Sequence, residues 1–556
     1  MTAEPTARAG RARGTPVFLW IFAAAALAVI PALFLGSAWG HDFDFHVSMW
    51  IDAAHQAQQG IFFPRWTALA NAGFGEPSVI FYPPLSWMAG SVLGLILPWK
   101  FVPCIFVFLT LALAGFATWK LAGDWLAPRD ALVAGLLYAW NPYILTTAFK
   151  RADYAELLAD ALFPLLVWAA IRVAGDGRRM IPPLAVVFAA IWLCDLPAGM
   201  IAGYSLALLM AVQCFSLRTW RPAIEGAIAV VFGFGLTAFF LLPAASERQW
   251  VEIGLALIPE WTPDTNYLFT QNPSSIMTVF NKGLSLIAVT LMAIAAIAAL
   301  LSRRAQSTSD DSQPSRIWKL IVVLAAASAF VMFRASSFLW KILPEFEYIE
   351  YPWRWLTPLA ATTTLLAAAA MAGFRRKSMW RAVAALGALC VGGGILYTVR
   401  WDRGGRQIES LAAAAQSGVG YRFAEDRDWR RPRGSHPSRL PDSAPPLTVN
   451  GGPQSVRFNV ERWTSDRKVF SVDSARPAVL GIKLLNYPAW QARWNGAPIR
   501  LQTDPQTGQM LLDTPGGSGN VEIYCSRPPD RTAGLAISGF AILTLTGLAL
   551  KWRANG

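Results

Sequence analysis

The sequence predicts a mainly α-helical, polytopic membrane protein with a small β-sandwich near its C-terminus, and three observations lead there. Hydrophobic residues make up 54% of the 556 residues and mean hydropathy is +0.38, beyond the range of ordinary soluble domains. The apolar residues come in long runs. One polar stretch, about 402 to 530, breaks the pattern and ends in short apolar segments punctuated by Asn450-Gly451-Gly452, Asn495-Gly496 and Gly516-Gly517.

The run from Val17 to Trp39 follows a basic N-terminus (Arg8, Arg11, Arg13). It is as long as a bilayer-spanning helix needs to be, roughly 20 residues, too long for the core of a signal peptide, and further runs follow it. These lie at 79–97, 101–121, 130–149, 155–173, 181–195, 197–214, 223–243, 283–301, 317–335, 353–373, 380–399 and 533–550. The net charge of +13 falls largely in the short loops between them, at Arg172, Arg178, Arg179, Arg218, Arg221, Arg303, Arg304, Arg375, Arg376 and Lys377. That is the positive-inside pattern, so the basic balance reports topology and no nucleic-acid partner is expected. Both ends are basic, which makes both cytoplasmic and the number of crossings even: about twelve of these segments cross and one does not. If 172–180, 215–222, 302–316 and 375–381 are cytoplasmic, the exception lies between 79 and 149, as a re-entrant piece or as merged half-helices.

This topology exports 40–78, 150–154, 244–282, 336–352 and the polar stretch. The expected organisation is a transmembrane domain over 1–400 with its first outer loop at 40–78, an irregular Arg/Pro/Gly-rich linker over 401–446, a β-sandwich over 447–531, and a final helix with a cytoplasmic tail over 532–556. Strands are expected at Ser455–Val460 and Val479–Leu485. The five cysteines, at 104, 194, 214, 390 and 525, include no CxxC pair and imply neither a disulfide framework nor a zinc site.

The densest chemistry is in the first outer loop, where His41-Asp42-Phe43-Asp44-Phe45-His46 directly follows the first apolar run. A carboxylate at the water–membrane boundary can take a proton from a hydroxyl or bind a divalent cation (Mg or Mn), and an imidazole can share either task, so Asp42, Asp44 and His46 are the candidate catalytic residues and candidate metal ligands. The competing reading is that Asp42 and Asp44 only cap a helix starting near Phe45. His46 and His55 are nine residues apart, which disfavours zinc held by histidines alone. In Lys150-Arg151-Ala152-Asp153-Tyr154-Ala155-Glu156, Arg151 suits a phosphate, or else pairs locally with Asp153 or Glu156. In Tyr351-Pro352-Trp353-Arg354-Trp355, Arg354 opens a membrane helix, where it holds an anionic headgroup or snorkels to the interface. Arg65, Glu76, Tyr82, Glu156 and Glu247 are candidate substrate-binding residues. No P-loop, dinucleotide fingerprint, HExxH or nucleophile elbow is present, which counts against ATP, NAD and hydrolase chemistry.

Asp42 to His46, Gly60-Ile61-Phe62-Phe63-Pro64-Arg65-Trp66, Gly73-Phe74-Gly75-Glu76-Pro77, Phe81-Tyr82-Pro83-Pro84-Leu85, Ala238 to Pro243, Tyr351 to Arg354 and Asn486-Tyr487-Pro488-Ala489-Trp490 together resemble a group of bacterial integral membrane proteins labelled "6-pyruvoyl-tetrahydropterin synthase-related" and similar to the YfhO-like proteins. The pterin label finds no support, because that zinc enzyme needs a histidine cluster and this chain has four histidines, at 41, 46, 55 and 436. The resemblance implies a GT-C superfamily glycosyltransferase of the bacterial inner membrane, taking a sugar from a polyprenyl-phosphate donor to a glycan, lipid or protein acceptor on the outer face, with inversion. It implies Asp42 as base, with Asp44 as substitute; in such an enzyme the donor phosphate is expected against Arg354 or Arg151. Where that group often carries His after the sixth helix, this chain has Asp195. Two other readings are a transporter or flippase of lipid-linked saccharides, which predicts charges deep in the spans and inverted symmetry, and a non-catalytic polysaccharide assembly protein.

Overall fold

The computed structural model describes residues 17–306, 312–372, 387, 391–400, 405–422, 428–450, 456–526 and 528–554. Among them, nine helical runs are long and apolar enough to cross a membrane, or ten if the pair Ser315–Val331 and Arg334–Ile342, bent by 94°, counts as one span. This is a multi-pass membrane chain. The count falls below the twelve expected for identifiable reasons. Most of segment 380–399 lies outside the described residues. Segment 79–97 yields only a 13-residue helix, Pro84–Ile96, about 20 Å long at 1.5 Å per residue and short of a hydrocarbon core about 30 Å thick. The 41-residue run Tyr154–Cys194 contains two helices, because the backbone turns at Gly177 (φ +59°) and the halves pack on one another.

The helices that position the site are α1 (Val17–Leu35), α2 (Phe43–Gln58), α3 (Pro84–Ile96), α4 (Val102–Ala122), α5 (Pro128–Ala139), α6 (Tyr154–Asp176), α7 (Ile181–Cys194), α8 (Leu196–Leu217), α9 (Arg221–Glu247), α10 (Ser275–Gln306), α11 (Ser312–Val331) and α12 (Leu356–Ala372). α6 is the centre of the bundle and packs on α4, α7 and α8. Its inward face is not purely apolar: Asp160 is fully buried, accepts from the Thr357 hydroxyl of α12 at 2.6 Å, and its carbonyl accepts from the Tyr138 hydroxyl of α5 at 2.9 Å. A buried carboxylate is tolerated when hydrogen-bonded, and here the bonds also fix the rotation of α12 about α6.

After α13 (Gly405–Gln416), nine strands form two antiparallel sheets: β1 (Leu447–Asn450), β4 (Ala478–Leu485), β8 (Gln509–Thr514) and β7 (Leu501–Thr503) in one, and β2 (Val456–Trp463), β3 (Arg467–Ser474), β9 (Gly517–Cys525), β5 (Trp490–Trp494) and β6 (Ala497–Ile499) in the other. Alternate residues (Phe470, Val472, Leu480, Ile482, Met510, Leu512, Val521 and Ile523) fill the space between them. Asn495 and Gly496, both at positive φ, make the two-residue β5–β6 turn, where Asn-Gly costs least. The chain ends in α14 (Pro529–Ala554), which packs along α9.

The sandwich core is continuous with the first outer loop: Trp66, Phe74, Ile80 and Phe81 belong to the same buried cluster, and Leu485 N donates to the Phe74 carbonyl at 2.9 Å. A polar bond seals this seam. Glu247, at the end of α9, pairs with Arg65 and accepts from the Tyr487 hydroxyl at 2.7 Å, all three being buried. Tyr487→Phe removes one donor from a buried carboxylate and is expected to cost about 1–3 kcal/mol. Thermal unfolding together with protease cleavage of the 417–446 linker measures it: a lower midpoint and faster cleavage are expected.

Candidate functional site

The first outer loop is docked by its backbone. Gly40 lies so close to the chain at Arg151 that a Cβ there would stand 2.4 Å from the Arg151 carbonyl carbon. Two residues on, Asp42 N donates to the Arg151 carbonyl at 2.9 Å. That carbonyl is free because the helix after Pro142 widens into a π-turn over Thr146–Arg151 and then breaks at Ala152, in the left-handed region at φ +52°. Asp42 occupies the N-cap position of α2 and its carbonyl accepts from His46 N, but its side chain makes no capping bond. The carboxylate is therefore not consumed by capping. It keeps 44% of its surface open and lies 3.9 Å from the Arg151 guanidinium.

Behind it is a buried charge cluster. Arg151 pairs with Asp153 and with Glu156, each at 2.7 Å, and its guanidinium lies 4.7 Å from the Trp353 ring centre. Arg354 pairs with the same Glu156 at 3.0 Å and with Glu350 at 3.0 Å, and donates to the Ile349 carbonyl. Tyr143 donates to the other oxygen of Glu156. His46 Nε2 lies 3.3 Å from Asp153. Asp153 also caps α6, accepting from Glu156 N at 3.0 Å, so one turn of helix aims both carboxylates at Arg151. Asp195, which caps α8 through Ala198 N, lies within electrostatic range of Arg354.

Partial desolvation by the surrounding chain, and then the Asp153 carboxylate, push the Asp42 carboxyl above its ordinary range, with Arg151 and His46 pulling the other way and water on its open face damping the shift. Burial likewise raises Glu350 against the opposing pull of Arg354. Glu350 also sits in a strained turn. Its φ of +64° and ψ of −58°, with Tyr351 N donating to the Ile349 carbonyl at 2.7 Å, define a γ-turn of the rare hand, costly for a residue with a side chain. The carboxylate that holds Arg354 is thus mounted on strained backbone.

The other sequence-derived candidates fall in four places. Asp44 faces away from the cluster, towards the Trp39 indole, and none of Asp42, Arg151 or His46 contributes to its environment. With Asp44 turned away and His46 set against Asp153, the trio Asp42, Asp44 and His46 does not converge as metal ligands. Among the described residues no three His, Cys, Asp or Glu stand close enough to hold a metal ion. Glu76 is buried and accepts from Ser78 and from Asn71 (3.0 Å); burial brings its carboxyl to about 7. Arg65 and Glu247 close the seam with the sandwich. Tyr82 lies beside His46, with ring centres 5.7 Å apart, and Glu156 is the shared partner of both arginines.

Sequence reasoning missed Arg430. The linker brings its guanidinium to 4.0 Å from the Phe45 ring centre and 5.6 Å from that of Tyr82, locked by a two-point bond to Asp428 (2.8 and 2.9 Å). It is a third arginine over the loop, and its electrostatic reach includes Glu76 and Glu350. The only local signal is Asp428-Trp429-Arg430, an aromatic between opposite charges in a segment otherwise read as irregular.

An apolar groove of about 1650 Å³ runs between α7, α8, α9 and α11. One end is at Arg218, Thr219 and Lys319, and the other at Pro344 and Glu345, where the Tyr204 hydroxyl donates to the Pro344 carbonyl at 2.7 Å. The turn from Glu345 leads directly to Glu350 and Arg354.

No family model matches the chain, and no curated protein does. Among solved structures it is similar to the oligosaccharyltransferase AglB of the archaeon Archaeoglobus fulgidus, in complex with an inhibitory peptide and a dolichol-phosphate (14% identity, 73% of this chain and 56% of that one, TM-score 0.37). It is also similar to the arabinofuranosyltransferase AftD from Mycobacteria (18% identity, 70% and 27%, TM-score 0.42) and to ArnT from Cupriavidus metallidurans bound to undecaprenyl phosphate (13% identity, 72% and 75%, TM-score 0.41). The chain thus spans little more than half the length of the archaeal protein and about a quarter of the mycobacterial one.

Because Gly40 has no room for a Cβ, Gly40→Ala is expected to lift the loop off Arg151 and destabilise the protein by about 1–3 kcal/mol. Gly254→Ala, where nothing lies within 4 Å, is the matched control. Thermal midpoints of the two variants in the same detergent make the comparison, and equal midpoints would contradict the docking.

Proposed function

We propose that the chain is a membrane glycosyltransferase that moves a sugar from a polyprenyl-phosphate donor to an acceptor hydroxyl or amide outside the cytoplasm. The observation that carries this reading is Asp42: an uncapped, half-open carboxylate fixed by its own backbone beside a buried cluster of two arginines, at the end of the bundle where a long apolar groove arrives. The resemblance of the loop and of Tyr351–Arg354 to GT-C proteins adds to it.

In this reading the polyprenyl tail lies in the groove between α8, α9 and α11, and its phosphate meets Arg354 past the 345–350 turn, in exchange for Glu350, with Arg151 behind it on the shared Glu156. Asp42 takes the proton from the acceptor as the acceptor atom attacks the anomeric carbon. The bond from that carbon to the phosphate oxygen breaks, the electron pair leaves with the phosphate, and the anomeric centre inverts. The arginines stabilise charge that grows on the leaving phosphate, and fixed partners cost no reorganisation at that moment. His46, held by Asp153, orients the acceptor side. Glu350 stands where a phosphate oxygen would bind Arg354, so the donor displaces it and relieves the strained turn. No step runs through a metal, because the expected ligands do not converge.

Asp42→Asn, in protein shown to be folded, is expected to lower transfer from a synthetic polyprenyl-phosphate sugar by about 10²–10⁴-fold; unchanged transfer would end this assignment. In the wild type the rate should rise with pH through an acid limb set by Asp42, because the base works ionised. Since the Asp42 carboxyl is raised, that limb should lie above pH 4. Glu350→Gln should tighten donor binding by about tenfold, roughly 1.4 kcal/mol, as read by titration with polyprenyl phosphate.

A further inference from the structure

The seam between the sandwich and the first outer loop encloses a second cavity, of about 400 Å³. Its walls are tied together across four chain segments: Tyr421 N donates to the Leu69 carbonyl and Ala72 N to the Tyr421 carbonyl, each at 2.8 Å, while Ser465 N donates to Gln59 Oε1 at 3.0 Å. Gly420 permits this closure, since a Cβ there would stand 2.3 Å from the Leu69 carbonyl oxygen.

Three basic side chains line the cavity, His55 from α2, Lys468 from β3 and Lys483 from β4, and no Asp or Glu is among its lining residues. Lys468 is 3% exposed, and its Nζ donates to the Thr464 and Ser465 carbonyls at 2.5 and 3.1 Å and lies 5.0 Å from the Trp490 ring centre. Burial lowers the Lys468 ammonium to about 7 against the opposing pull of Asp466, and burial alone lowers Lys483 and His55. Basic groups gathered in a walled space whose lining carries no carboxylate are costly to bury, Asp466 behind Lys468 offsetting only part of that cost, and an anion of matching size offsets more of it. Trp463, partly exposed in the same wall, offers a flat apolar surface on which a sugar ring packs.

We propose that this cavity is an anion subsite that holds the phosphate or carboxylate of an acidic saccharide at the seam between the membrane helices and the sandwich. It gives the sandwich a recognition role separate from the Asp42 site, and it does not depend on the transferase reading. Calorimetric titration of the purified full-length protein in detergent at pH 6.5 with glucuronate, glucose 6-phosphate, inorganic phosphate and glucose tests it. The two sugar acids should bind and glucose should not, and Lys468→Met and Lys483→Gln should each raise Kd by about tenfold or more. Lys483 is only half-buried, so its variant keeps the test valid if Lys468→Met fails to fold. Stronger binding of one sugar acid names the anion, carboxylate or phosphate. Binding of inorganic phosphate but of neither sugar acid would overturn the saccharide assignment, and no anion binding, or binding unchanged in Lys483→Gln, would overturn the site.

Discussion

One carboxylate, Glu156, is held between two guanidiniums inside a largely apolar bundle. Arg151 and Arg354 both reach its Oε2, at 2.7 and 3.0 Å, and Tyr143 donates to its Oε1. Such a group is stable only while every partner is present, and removing one partner of a buried ion pair typically costs about 3–5 kcal/mol. The cluster therefore fixes three backbone segments at once: the π-turn ending at Arg151, the first turn of α6, and the turn before α12. Asp42 takes its position from the first of these, through the Arg151 carbonyl, and Glu350 from the third, through Arg354.

The sandwich is fastened to this assembly along the first outer loop. Its core shares Trp66, Phe74 and Phe81 with the loop, and the Arg65–Glu247–Tyr487 contact seals the seam with the end of α9. The linker between helices and strands contributes as well, because Arg430 lies over Phe45 and Tyr82. Residues from four distant stretches of sequence thus form one polar end of the bundle, with an apolar groove leading to it.

Much of the architecture was legible in the sequence because the signals are local. Apolar run length marks spans, and alternation with Asn-Gly turns marks strands. The parity mismatch narrowed the odd segment only to 79–149; the 13-residue length of the helix at 84–96, set by the prolines around it, was not legible in the apolar run 79–97. The loop at Asp42 stood out because two carboxylates and two imidazoles fall within six residues. The choice between Asp42 and Asp44 was not legible: it depends on which way the helix N-terminus faces, and two residues on a helix point about 200° apart. The sharing of Glu156 by Arg151 and Arg354 was hidden for another reason, because the second pair joins residues 198 apart. Each charge was visible by itself, and the pairing is a property of the packed bundle. Arg430 was hidden because a stack on Phe45 and Tyr82 across nearly 400 residues leaves no local pattern.

In the proposed reaction Arg354 and the half-open Asp42 face one substrate, a lipid phosphate carrying a sugar. The most direct measurement is a cryo-EM structure of the protein with polyprenyl phosphate added. Phosphate density is expected against Arg354, with the tail in the groove between α8, α9 and α11 and Glu350 swung out of its strained turn. Phosphate bound elsewhere, with the Glu350–Arg354 pair intact, would contradict the proposed reaction.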